Sequence, residues 1–260
     1  MKQSKYFNFA LVGVVLAGAA TLVVGDAREY YMQFDVHDKD RAQPPVVDPG
    51  HPGTQDATGK APSDAIVLFD GTKTDAIKTN WPVNENGELV ITKGKGGFES
   101  AQSFGDIQLH LEWMAPESEA KNSGQGRANS GIFFMKTYEV QVLDNKANKT
   151  YPDGMAGSIY GQFPPLVNPG RGIGQWQTYD IIFRRPHFND DGSVKKPATV
   201  TVLLNGVVVQ DNQELMGRAT HKVRSNYKKH ADKLPLSLQN HGQTVHFRNI
   251  WVRELPPRIE

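Results

Sequence analysis

The chain has 260 residues, with 29 lysines and arginines against 28 aspartates and glutamates and a formal charge of +1. That balance excludes the basic excess of a dedicated nucleic-acid binder, while 38% hydrophobic and 22% charged residues suffice to build a core. The sequence contains no cysteine, which excludes disulfide scaffolds, thiolate metal sites, cysteine nucleophiles and cysteine-anchored lipoproteins.

Lys2 and Lys5 precede an uncharged apolar run over residues 9–24, and small residues follow at Gly25-Asp26-Ala27. A positive start, an apolar stretch and small residues describe a secretory signal, so residues 1–27 are read as a signal peptide or N-terminal anchor. The run is shorter than the ~20 residues of a comfortable membrane span. Membrane contact through residues 9–24 is therefore expected only if the segment stays uncleaved. The folded part is expected to be exported, to the periplasm or the cell surface. Residues 28–62 carry Pro44-Pro45, Pro49-Gly50 and Pro52-Gly53 without an apolar period. They read as a flexible, proline-rich linker, in which His37 and His51 are solvated.

From residue 65 onward the dominant period is two. Gln108-Leu109-His110-Leu111-Glu112-Trp113 and Tyr138-Glu139-Val140-Gln141-Val142 alternate polar and apolar residues, as half-buried strands do. Tyr179-Asp180-Ile181-Ile182-Phe183 reads as a more buried strand, and Val245-His246-Phe247-Arg248-Asn249-Ile250-Trp251-Val252 as the last. Asn205-Gly206 between two β-branched runs signals a hairpin with a type I′ turn. Helical turns are expected only near 213–216 and 227–233. About a dozen short strands over residues 63–257 predict one all-β domain, a two-sheet jelly roll.

The alternation puts Leu109, Leu111 and Trp113 on a core face, with His110 and Glu112 opposite. It puts Tyr138, Val140 and Val142 inside, with Glu139 and Gln141 outside. If both strands share a sheet, one surface carries His110, Glu112, Glu139 and Gln141, although an ordinary solvated face has the same period. Trp113 and Trp251 are assigned to the core, and Trp81 and Tyr160 to a cleft rim. Gly94-Lys95-Gly96-Gly97 and Gly170-Arg171-Gly172-Ile173-Gly174 lack a following helix, so neither predicts a nucleotide cofactor.

Seven stretches carry a wider resemblance. They are Asn129-Ser130-Gly131-Ile132, Tyr138-Glu139-Val140-Gln141-Val142-Leu143-Asp144, Gly157-Ser158-Ile159-Tyr160-Gly161, Trp176-Gln177-Thr178-Tyr179-Asp180-Ile181, Asn205-Gly206-Val207, Leu238-Gln239-Asn240-His241-Gly242 and Phe247-Arg248-Asn249-Ile250-Trp251-Val252. In this order they resemble the 3-keto-disaccharide hydrolase family, also described as 3-keto-glucoside 1,2-lyase/3-keto-2-hydroxyglucal hydratase domains, over about residues 64–256. The resemblance implies a concanavalin A-like jelly-roll sandwich of two antiparallel sheets, with a carbohydrate cleft on one face. Glu139-x-Gln141-x-x-Asp144 is also similar to the E-x-D-x-x-E pattern of laminarinase-like glucanases, where a bulge returns the sixth position to the face of the first and third. Retaining hydrolysis needs two carboxyl groups about 5–5.5 Å apart. Gln141 cannot ionise, so an ordinary glucanase is disfavoured.

The implied substrate is an oxidised, 3-keto sugar or glycoside. A ketone at C3 acidifies the hydrogen at C2. A base can then remove that proton, the C1 substituent is expelled, and water adds to the resulting 2-hydroxy-3-keto-glucal, a net hydrolysis. This chemistry needs a base with a pKa near neutrality, an acid for the leaving group, and charge or donors at the C3 oxygen. Glu139, Asp144 and His241 are the catalytic candidates. Gln141, His110, Glu112, Arg127 and Tyr160 are candidates for holding substrate. A divalent cation would bind Glu139, Gln141 and His241; oxygen and nitrogen ligands suit Ca²⁺, Mg²⁺ or Mn²⁺ better than Zn²⁺. The alternative reading is a non-catalytic, lectin-like carbohydrate-binding module on the same fold. Oligomeric state and aglycone are not specified by the sequence.

Overall fold

Strand propensity and period two organise the described residues into fourteen strands: β1 (Ile66–Phe69), β2 (Ile77–Thr79), β3 (Leu89–Val90), β4 (Phe98–Phe104), β5 (Ile107–Met114), β6 (Ser130–Phe134), β7 (Tyr138–Val142), β8 (Gln177–Arg184), β9 (His187–Phe188), β10 (Val194–Lys196), β11 (Thr199–Leu204), β12 (Val207–Glu214), β13 (Leu234–Leu238) and β14 (His246–Glu254). The computed structural model describes Val36 and residues 43–73 and 75–256. The expected signal or anchor at 1–27 and most of 28–42 lie outside the described residues. Among the described residues no helix is long and apolar enough to cross a membrane.

Two antiparallel sheets face each other in a jelly-roll sandwich. The first has the order β1-β14-β5-β8-β11-β12, with β3 also on β14; the second has the order β2-β4-β13-β6-β7; β9 and β10 pair separately. The core forms where their apolar faces meet. Leu109, Leu111 and Trp113 of β5 and Tyr179, Ile181 and Phe183 of β8 pack against Ile132 and Phe134 of β6 and Tyr138, Val140 and Val142 of β7. Phe134 stacks on Phe183 with ring centroids 4.6 Å apart. The Tyr179 hydroxyl crosses the core and donates to the Gln141 carbonyl at 2.7 Å. This bond ties the first sheet to the strand that carries Glu139.

Asn205 and Gly206 both have positive φ, 54° and 78°, and close the β11–β12 hairpin as their sequence predicts. Helical turns were expected at 213–216 and 227–233 and do not form. Gln213 and Glu214 extend β12 and pair with Val200 and Thr199 of β11. Tyr227 instead fastens an extended segment, its hydroxyl donating to the Leu215 carbonyl at 2.8 Å and accepting from the Ala198 N–H at 2.9 Å.

A bulge in β14 corrects the expected place of Trp251. Arg248 pairs with Glu112 and Trp251 with His110, so β14 spends one residue more than β5 over that interval. Asn249 takes up the excess at φ 48°, the left-handed conformation that asparagine tolerates. Phe247, Ile250 and Val252 therefore stay in the core. Trp251 turns to the outer face and stacks on His110 at 5.0 Å. Trp81, expected at a rim, is fully buried against Phe247 and Phe98, and its N–H donates to the Gly96 carbonyl at 2.7 Å.

The expected linker also differs. His51 and Lys60 bridge each other, and the strap between them lies on the first sheet. Arg248 Nη2 donates to the Thr54 carbonyl at 2.5 Å and to that of Ala57 at 3.4 Å. Gln55 exchanges two hydrogen bonds with the Trp176 backbone, at 2.9 and 2.7 Å. Backbone carbonyls and one amide side chain make these ties, which leave no apolar period to read.

Candidate functional site

β7 is the edge strand of the second sheet, and the chain uses that edge to build a cavity. Residues 157–160 run beside it: Gln141 N–H donates to the Ser158 carbonyl, Gly157 N–H to the Gln141 carbonyl, and Tyr160 N–H to the Glu139 carbonyl, each at 3.1 Å. Tyr160 is thereby set beside Glu139. The β13–β14 loop closes another side. Asn240 Nδ2 anchors it on the Thr92 and Gly96 carbonyls at 2.8 Å. The buried Glu119 carboxylate accepts from Thr244 N–H at 2.8 Å and from Ala128 N–H at 3.1 Å. The result is a cavity of about 370 Å³ lined by Glu139, Gln141, Tyr160 and His241, together with Asn129 and His221 among others.

Glu139 is 6% exposed. Burial pushes its carboxyl up to about 8, because the charged form loses water without gaining a cation or donor. Gln141 is 1% exposed. Its Nε2 donates to Asn129 Oδ1 at 3.2 Å, while its Oε1 is buried without a hydrogen-bond partner. A buried orphan acceptor carries a desolvation cost, and this one sits on a residue that lines a cavity. His241 is exposed, with Nδ1 2.7 Å from Gln243 Oε1. That oxygen only accepts, so Nδ1 holds the proton and Nε2 carries the lone pair of the neutral ring. The Tyr160 hydroxyl lies 2.9 Å from the Tyr151 hydroxyl and 3.0 Å from His221 Nδ1. Burial, and then the bond to Tyr151, push its pKa up.

Asp144 and Arg127 do not line this cavity. β7 pairs with β6 without a register shift and ends at Val142, so no bulge returns Asp144 to the Glu139 face. Asp144 is 3% exposed and pairs with Arg127 Nε at 2.8 Å. Burial raises its pKa, against the opposing pull of the Lys146 N–H and the Arg127 charge. The pair holds the turn after β7 against the segment before β6, where the Asp144 N–H donates to the Arg127 carbonyl at 3.3 Å.

His110 and Glu112 are also elsewhere. They lie on β5, in the first sheet, on the opposite outer face of the sandwich, and the strap covers them. Glu112 accepts from Arg248 Nε at 2.6 Å and Asn249 Nδ2 at 2.9 Å. His110 Nδ1 meets Asp180 Oδ1 at 2.7 Å. Burial opposes charge on His110, but its bonds to Asp180 and Glu112 prevail and lift it to about 9. Glu112 is held below the carboxylate range: burial acts upward, and its bonds to His110, Asn249 and Arg248 outweigh it. The Arg248 guanidinium also lies 4.0 Å from the Trp176 ring. This is a balanced ion cluster, and His110, Glu112 and Asp180 line a separate cavity of about 660 Å³ together with Pro52, Gly53 and Thr54 of the strap. The four polar residues expected on one surface are thus split between two.

The Glu139 carboxyl, the orphaned Gln141 Oε1 and a His241 ring nitrogen line one cavity and offer hard oxygen and borderline nitrogen ligands. Among the described residues no three His, Asp or Glu side chains gather to hold an ion; here Glu139 and His241 offer two such groups and the Gln141 amide a further oxygen. The donor types fit. His221 escaped the sequence reading because it lies in the loop between β12 and β13, where no period marks which side chains face inward.

A family described as the 3-keto-alpha-glucoside-1,2-lyase-like domain matches residues 64–253. A crystal structure from Parabacteroides distasonis, of a protein provisionally assigned as a glycosyl hydrolase, is 41% identical, with 86% of this chain and 96% of that chain covered and a TM-score of 0.77. Another protein of that organism, with the same provisional assignment, is 18% identical over 74% of this chain and 99% of its own, at a TM-score of 0.53, and shares the fold. No functionally curated protein matches.

Proposed function

The chain belongs to the 3-keto-alpha-glucoside-1,2-lyase-like domain family, and from that premise we propose that this carbohydrate-active protein cleaves 3-keto-glycosides at the Glu139 cavity by elimination and hydration. The observation that carries the reading is the pairing, on one cavity wall, of a buried carboxyl without a charge partner and a buried amide oxygen without a donor. A base tuned toward neutrality can take the C2 proton at working pH, and Gln141 Oε1 accepts from a sugar hydroxyl. Proton removal leaves an enolate at C2–C3. Collapse of the enolate re-forms the C3 carbonyl, makes the C1–C2 double bond and expels the C1 oxygen. Water then adds at C1, and Glu139, after its proton exchanges with solvent, protonates C2. Gln141 and His241, beside the Glu139 carboxyl, would hold a divalent cation in place of the sugar hydroxyl, and the ion would supply Lewis-acid charge at the 3-keto oxygen. The other groups hold and orient the sugar.

The protein is proposed to act after export, with residues 1–27 as signal or anchor. Another enzyme must supply the ketone, since no nucleotide motif marks this chain as its own oxidant. The test is to incubate the purified protein with a 3-keto-glucoside and with the same glucoside unoxidised. Aglycone release from the first alone is the expected result; release from the unoxidised sugar, or from neither, overturns the reading. Sugar binding without turnover, unchanged in Glu139→Gln, would favour the lectin-like alternative.

A further inference from the structure

A second cavity adjoins the Glu139 cavity, and the wall between them is made by three residues. Tyr160, Thr220 and His221 line both. The second cavity, of about 330 Å³, is otherwise walled by residues that include Tyr151, Asp153, Lys222, Val223 and Arg224. We propose that this second cavity receives the leaving group and that His221, on the shared wall, is the acid that protonates the departing oxygen. The inference rests on the Glu139 reaction proposed above.

The placement follows from connectivity. C1 is bonded to C2, so a sugar whose C2 hydrogen faces Glu139 carries its leaving oxygen close to the Glu139 carboxyl. Tyr160 is the neighbour of Glu139 across the edge of β7, its N–H bonded to the Glu139 carbonyl. The group beyond that oxygen needs room, and the adjoining space lies past Tyr160 and His221. There Tyr151 and Val223 are 40% and 66% exposed, an aromatic and an aliphatic side chain open to an apolar aglycone.

His221 is held as a proton carrier must be. Its Nδ1 is 3.0 Å from the Tyr160 hydroxyl, which in turn is 2.9 Å from the Tyr151 hydroxyl. A phenol both donates and accepts. With neutral His221, Tyr160 donates to Nδ1. With the imidazolium, Nδ1–H donates to Tyr160, which turns its own proton to Tyr151. The bond survives either state, and Nε2 is left for the substrate.

The step balances. Glu139 takes the C2 proton. As the C1–O bond breaks, its electron pair stays on oxygen and takes the Nε2 proton, which releases a neutral alcohol or phenol. Water attacks C1 and gives a proton to His221, and Glu139, its proton exchanged with solvent, protonates C2. Both groups end as they began.

The experiment compares wild type and His221→Gln in single turnover on methyl, phenyl and 4-nitrophenyl 3-keto-glucosides. A parallel assay follows C2 deuterium exchange into 1,5-anhydro-3-keto-glucitol, which has no leaving group. His221 is exposed, so the variant is expected to fold. The expected result is a loss of about 10²–10⁴-fold on the methyl glycoside, a much smaller loss on the 4-nitrophenyl glycoside, whose leaving group needs no acid, and exchange lowered far less than methyl-glycoside cleavage. Tyr160→Phe should show the same leaving-group dependence with a smaller amplitude. Equal losses on all three glycosides, or no loss, overturn the role of His221 while leaving the Glu139 reaction standing. Absence of exchange in the wild type removes the underlying reading and this inference with it.

Discussion

The Glu139 carboxyl fills the space that a side chain at residue 131 would need: a Cβ built on Gly131 would lie 2.9 Å from Glu139 Cδ, and its Oε1 would be nearer still. Gly131 pairs with Gln141 in the β6–β7 ladder, so the backbone there is ordinary strand and alanine would suit it. What alanine would change is the position of the base. Gly131→Ala should lower kcat on a 3-keto-glucoside by on the order of 10²-fold, the size of effect expected from moving a reacting group by about 1 Å. Thermal melting should report destabilisation of about 1–3 kcal/mol from overpacking. Full activity in this variant would contradict the placement of Glu139.

Glu139→Gln should abolish turnover and stabilise the protein. The folded-state pKa, about 8, lies above that of a free carboxyl. Between those two values the folded state keeps a proton that the unfolded state has lost. Wild-type stability from this group therefore falls with rising pH, by up to about 1.4 kcal/mol per unit, until about pH 8. Melting curves of chelator-treated protein should show the variant and wild type converging near pH 4 and the variant ahead at pH 8. Parallel curves would contradict the burial argument.

His110 shows the same sign of dependence in a higher pH window. Its folded pKa, about 9, is above the ordinary histidine value, so its contribution is complete below about pH 6.5 and lost as pH rises through 9. His110→Gln should narrow the stability difference from wild type over that interval, read as Tm against pH.

Glu112→Ala should damage stability rather than catalysis. It removes the acceptor of the Arg248 and Asn249 bonds and leaves buried positive charge uncompensated, a loss of about 3–5 kcal/mol. Because Glu112 lies on the sheet opposite Glu139, KM of the folded enzyme should be unchanged. A raised KM with an unaltered Tm would return Glu112 to the substrate site.

Chelation should lower aglycone release by at least about 10-fold, through loss of the charge at the 3-keto oxygen. Mn²⁺, Mg²⁺ or Ca²⁺ should restore it. Gln141→Leu, which removes the orphan acceptor, should abolish the metal response. Turnover indifferent to both changes would place the carbonyl stabilisation on protein donors.

The core was legible because strand period two reports which side chains face inward. Leu109, Leu111 and Trp113 lie where that period puts them, as do Tyr138, Val140 and Val142. The Asn205-Gly206 turn was legible because few residue pairs accept positive φ twice in succession. Sheet membership was not legible: alternation in β5 and β7 says nothing about whether they share a sheet, so His110 and Glu112 were grouped with Glu139. Trp251 was misread because one extra residue at Asn249 reverses the alternation. The strap at residues 51–60 binds through the Thr54 and Ala57 carbonyls and the Gln55 amide, which have no hydrophobic signature. His221 acquires its position only from a loop fold that sequence period does not describe.

The reaction proposed here moves a proton at C2, which ordinary glycoside hydrolysis leaves untouched. The most direct test is to cleave a 3-keto-glucoside in D₂O and locate deuterium in the released 3-keto-glucose, under conditions where free 3-keto-glucose does not exchange. The account predicts one deuterium at C2 with the wild-type protein and neither release nor label with Glu139→Gln. Release of sugar that keeps its original C2 hydrogen would contradict it.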